Sequence, residues 1–122
     1  MTKVYKENLI RYLTDFADYS YQKRVWVEGS AKPGDTSLFF SEGCCAVFDD
    51  TGLGDALKTR QTVFDKTADQ ALWDLWDATH KVDYKNKPDS AIIDTPAMQL
   101  VRDKAATALQ LITQKNIQSF VV

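Results

Sequence analysis

Among its 122 residues the chain has a single histidine, His80, and only two cysteines, Cys44 and Cys45. Acyl-transfer and thiol chemistry need a base within reach of the nucleophile, and no serine or cysteine stands near His80 in sequence. A structural zinc site needs four ligands, more than one imidazole and two thiolates supply. The cysteines are neighbours, so a bridge between them would close almost no loop and would be strained. They are expected to be two small buried apolar residues rather than a disulfide framework. Glutamate is also scarce, at positions 7, 28 and 42 only, too dispersed for the inward-facing carboxylate pairs of helical metal sites. No catalytic residue, metal or cofactor is therefore expected. Long apolar runs are missing too: none approaches the roughly 18 residues that span a bilayer. The N-terminal segment carries Lys3, Lys6, Glu7 and Arg11 where a signal peptide needs an uninterrupted apolar core. The expectation is a cytoplasmic protein without membrane contact.

What the chain does contain is an ordinary globular composition, 44% hydrophobic and 26% charged, at a length that fits one domain spanning residues 1–122. The net charge of −2 is unevenly spread. Residues 1–32 carry six basic and four acidic groups, and residues 84–122 carry five and three, so both ends are positive. Between Asp35 and Leu57 stand Asp35, Glu42, Asp49, Asp50 and Asp55 with no Lys or Arg. Such a field repels nucleic-acid phosphates and attracts a basic partner.

Helical spacing is regular in three places. From about Lys3 to Tyr19, Leu9, Leu13 and Phe16 fall on one face, with Thr2 as a candidate cap. A second helix is expected from Asp65 or Thr67 to about Val82, burying Ala68, Ala71, Leu72, Leu75, Trp76 and Ala78. A third runs from about Ala97 to Gln114 behind Thr95 and Pro96, and the apolar tail Ile117, Phe120, Val121 and Val122 is expected to pack back. Two segments are ambiguous. Ser20–Gly29 fits a short helix capped by Ser20 or a strand at Arg24–Val27. Residues 38–48 fit a hairpin turning at Ser41–Gly43, yet Leu38, Ser41, Glu42, Cys45 and Phe48 lie three and four apart, which favours helix. A further short helix capped by Asp55 is expected to reach about Thr62. The fold class is thus mainly α, a single-domain bundle of about five helices, with α+β containing a hairpin at 38–48 as the alternative.

Two groups of residues are candidates for binding. Asp49, Asp50 and Asp55 form the densest carboxylate cluster, without the alternating spacing or distal Glu of an EF-hand. Thr51–Asp55 contains a Gly-x-Gly but no Lys, and carboxylates stand where a phosphate would sit. On the polar side of the second helix, Asp69, Trp73, Asp77 and His80 are spaced four, four and three. An aromatic flanked by charges in one line has the make-up of an interface hot spot, whereas a tryptophan at the edge of an apolar arc commonly packs under a neighbouring segment.

Three short runs occur in a recognisable order: Tyr21–Trp26 (YQKRVW) followed by a glycine, Phe48–Gly52 (FDDTG) ahead of a short helix, and Thr95–Pro96 opening the last helix. This order resembles small, mostly uncharacterised bacterial proteins, some of which look like immunity proteins encoded beside polymorphic or contact-dependent toxins. The resemblance implies a helical cytoplasmic domain that acts by binding rather than catalysis, neutralising a basic toxin domain of the nuclease type. A metal-assisted hydrolase using Asp49, Asp50 and Asp55, or a structural adaptor subunit, are the alternatives.

Overall fold

A computed structural model describes the backbone of residues 1–121 and the side chains of residues 1–114. All three regular apolar patterns are helices. In α1 (Lys6–Phe16) the buried residues are Leu9, Leu13 and Phe16. Helix α5 (Lys66–Thr79) buries Ala68, Ala71, Leu72, Leu75 and Ala78, and its N-cap Asp65 accepts a hydrogen bond from Ala68 N at 2.7 Å. Helix α7 (Pro96–Val121) opens behind Thr95, whose hydroxyl accepts from Met98 N at 3.3 Å. Small buried residues at Ala68, Ala71, Ala78, Ala105 and Ala108 let α5 and α7 pack closely. The expected packing of Ile117, Phe120, Val121 and Val122 lies outside the described side chains.

Residues 40–48 are helical behind an extended Phe39, so the hairpin alternative is not what forms. Helix α3 (Phe40–Cys44) continues without a break into a π-helical stretch, Cys45–Asp50. The ambiguous segment behaves in the same way: α2 (Tyr19–Tyr21) widens into a π-helical stretch, Gln22–Val27. Having more residues per turn, a π-helix places successive side chains at a smaller angle to one another. Consecutive apolar residues then reach the core together, as Val25–Trp26 and Ala46–Val47–Phe48 do. Those runs are also what makes a strand plausible from sequence. Gly43 supplies the clearance, because a Cβ there would come 3.0 Å from Phe16 Cε1 and 3.3 Å from Trp26 Cζ2. Phe16, Trp26 and Phe40 form an aromatic triangle around this point, with ring centroids 6.1 to 6.3 Å apart.

Several boundaries differ from expectation for reasons visible in the hydrogen bonds. Asp18, not Ser20, caps α2 by accepting from Tyr21 N at 3.1 Å. Thr2 does not cap α1, because the helix starts only at Lys6 behind Tyr5; the Thr2 backbone is tied instead to Gln61, its N–H donating to Oε1 at 2.9 Å while Nε2 donates back to Thr2 O at 2.7 Å. Helix α4 (Leu53–Lys58) follows Gly52, so Asp55 lies in its first turn rather than at its cap. Helix α5 stops at Thr79 rather than Val82. A short α6 (Asp89–Ile92) interrupts the polar connection to α7. Among the described residues there are seven α-helices, two π-helical stretches and no strand, which makes the chain mainly α. No described helix is long and apolar enough to cross a membrane.

One polar network lies inside this core. Gln22 is fully buried, donates from Nε2 to Phe16 O at 2.8 Å and accepts from Arg102 Nη1 at 2.9 Å. Arg102 is 5% exposed, and its guanidinium lies 5.0 Å from the centre of the Tyr19 ring. The network joins the first π-helical stretch to α7.

Candidate functional site

The π-helical end of α3 and the C-terminal end of α5 enclose an open cleft of about 500 Å³, within the range of ligand-binding clefts. Phe40, Phe48, Trp76 and Tyr84 supply its aromatic walls, and Asp49, His80 and Lys85 are among its polar lining. Phe48 meets Trp76 edge-on at 4.7 Å between ring centroids, and Phe40 meets Tyr84 at 5.4 Å. Gly54 of α4 makes room for the first pair, since a Cβ there would lie 3.2 Å from Trp76 Cζ3 and 3.1 Å from Phe48 O.

Of the five acids between Asp35 and Leu57, two are used within the fold. Asp35 pairs with Arg24 at 3.1 Å and takes Lys32 N at 2.6 Å. The Arg24 guanidinium, then the Lys32 amide, holds its carboxyl below the usual range. Glu42 accepts from Leu38 N at 2.9 Å. The other three, Asp49, Asp50 and Asp55, are exposed and form no ion pair among the described residues. Asp55 suits the first turn of α4, where a carboxylate favours the helix end. Asp49 and Asp50 do the opposite. They occupy the last turn of a helix whose terminal carbonyls already present negative charge, and no basic residue shares that turn. A helix C-terminus favours cations, so neither carboxylate gains from its place there.

The line of residues on α5 divides as well. Both carboxylate oxygens of Asp69 are engaged, accepting from Val63 N at 2.9 Å and Phe64 N at 3.0 Å, so this residue anchors the loop ahead of its own helix. Trp73 is half-buried and packs against the core. Asp77 is exposed without an ion pair among the described residues. His80 is exposed at the cleft, its ring 5.0 Å from that of Trp76. Its Nδ1 lies 2.7 Å from Trp76 O, and because a carbonyl only accepts, Nδ1 carries the hydrogen. The structure therefore brings Asp49 and His80 to one cleft and places Asp50 and Asp55 on neighbouring surface. Asp69 and Trp73 have roles in packing.

The spacing of the second helix assigns Trp76 to the core and nothing singles out Tyr84, yet both line the cleft. The signal for Trp76 was its place three residues from Trp73 at the same arc's edge. Nothing local marks Tyr84, which depends on Phe40 some forty positions away. The cysteines differ from the expected buried pair: Cys44 is half-buried and Cys45 exposed, because neighbours on a helix face different directions. Burial foremost, then Cys45 and Asp49, pushes the Cys44 thiol up to about 12. Burial and then Asp49 also raise that of Cys45. Protonated thiols make poor nucleophiles. Among the described residues no three His, Cys, Asp or Glu side chains converge as metal ligands would.

No family model, curated protein or solved structure matches the chain.

Proposed function

We propose that this chain is a non-enzymatic, cytoplasmic binding protein whose acidic face captures a basic protein partner, the role implied by its resemblance to toxin immunity proteins. The observation that carries this reading is the placement of Asp49 and Asp50. They are exposed, without a cation among the described residues, and set on the negative end of a helix. Charges that gain nothing from the fold are retained where they serve recognition. Asp55 and Asp77 extend the same sign of charge. The hydrolase alternative has weaker support, because the carboxylates do not converge as a metal site requires.

The test is complex formation with the basic protein encoded beside this chain, by calorimetry and by loss of that protein's activity. A one-to-one complex that silences the partner is expected. Asp49→Asn and Asp50→Asn should weaken it while leaving the melting temperature unchanged or slightly raised. Substitutions that lower stability and leave binding intact would assign the carboxylates to the fold and overturn the proposal.

A further inference from the structure

The cleft carries more information than the acidic surface beside it. We infer that it is a pocket for an arginine side chain presented by the basic partner, an inference that rests on the function proposed above. Four features of the cleft favour an organic cation.

The first is its aromatic lining. Ring faces attract cations, arginine most often, within about 6 Å of the centroid. Trp76 already meets a cation within the chain, Lys58 Nζ 5.3 Å from its ring centre, so the ring open to an incoming group is a different one. Tyr84 stands at the mouth with 42% of its surface exposed, so its ring is accessible to an incoming group.

The second is the backbone. The C-terminal ends of α5 and of the π-helical stretch both meet the cleft, and neither has a basic residue in its last turn. Helix C-termini favour cations. His80, at the C-cap of α5, lines the cleft, whereas Lys81 beyond it does not.

The third is Asp49, which lines the cleft with no ion pair to a described Lys or Arg. Asp83 also lines it, but its charge is met by Lys87 at 2.7 Å. Asp49 is thus the carboxylate positioned to accept a guanidinium in the forked geometry that arginine offers. The fourth is size: about 500 Å³ accommodates the side chain with the backbone that carries it. Lys85 opposes the inference by adding a positive charge to the lining. It also gives the inference a sign that can be tested.

The experiment titrates the full chain with argininamide, following backbone amide resonances, with citrullinamide as a control of nearly the same shape that keeps the α-amino group but lacks the guanidinium charge, and N-acetylaspartate as an anionic one. Argininamide should produce saturable shifts at Cys45, Asp49, His80 and Tyr84, with a dissociation constant of about a millimolar, as suits a ligand this small. Asp49→Asn and Tyr84→Ala should each weaken it roughly threefold, and Lys85→Ala should tighten it. A melting curve on each variant establishes folding, and Asp49→Asn removes charge without removing packing. Equal shifts from citrullinamide, no saturable shift in the cleft, or preference for N-acetylaspartate would overturn the pocket. Failure here leaves the acidic-face proposal standing if the basic partner still binds through Asp49 and Asp50. Argininamide binding without capture of any basic protein would sink that proposal and keep the pocket.

Discussion

Asp89 shows how a single carboxyl is set by competing terms. Burial raises its pKa, and the hydrogen bond from Phe40 N at 3.3 Å lowers it by less. A raised value in the folded state means its contribution to stability is fully present below the ordinary carboxylate pKa and is lost as pH rises through the folded value. Asp89→Asn keeps an acceptor for Phe40 N and removes the half-buried charge. Its melting temperature should exceed that of the parent at pH 7, and the difference should close near pH 3. A lower value at pH 7 would mean that the charged hydrogen bond outweighs desolvation. Asp69 is a different case at the same scale. Its position on the polar side of a helix is legible in the sequence, but its two backbone partners in the preceding loop are not, because they depend on how residues 63–64 turn back. Trp73 was legible as an edge residue with two fates, and the structure packs it against the core. Truncating it would therefore perturb packing as well as any contact.

The elements legible in the sequence were those with a local cause. Helices α1, α5 and α7 announce themselves by apolar spacing, and Asp65 and Thr95 by capping chemistry. The two π-helical stretches did not, because consecutive apolar residues on a widened helix imitate a strand. Gly52 joins one of these stretches to α4 at φ +81°, and a Cβ there would fall on the carbonyl oxygen of Lys3. The N-terminal segment is held against this turn by Tyr5 N donating to Thr51 O at 2.9 Å. Gly52→Ala thus combines a left-handed backbone with a clash against main chain, and should lower the unfolding free energy by about 2 kcal/mol or more. Urea denaturation measures it. A loss below about 0.5 kcal/mol would show that the turn relaxes freely.

Across the whole molecule, the uneven spread of charge survives folding in reduced form. Arg24 takes Asp35 and Leu38 N takes Glu42, leaving Asp49, Asp50 and Asp55 as surface acids beside an aromatic cleft. The sequence revealed the cluster but not the cleft, which needs α3 and α5, far apart in the chain, to meet. Exposed acids of this kind act over distance, steering a basic partner into encounter more than holding it afterwards. The most direct measurement is the stopped-flow association rate of a folded Asp49→Asn, Asp50→Asn, Asp55→Asn variant with the basic protein encoded beside the chain. The account predicts association several-fold slower than the parent at low salt, with any faster dissociation traced to the loss of Asp49 from the cleft. It also predicts that the difference vanishes at 1 M salt, where the Debye length falls from about 10 Å at 0.1 M to about 3 Å. Association by the folded triple variant at the parent rate in low salt would contradict it.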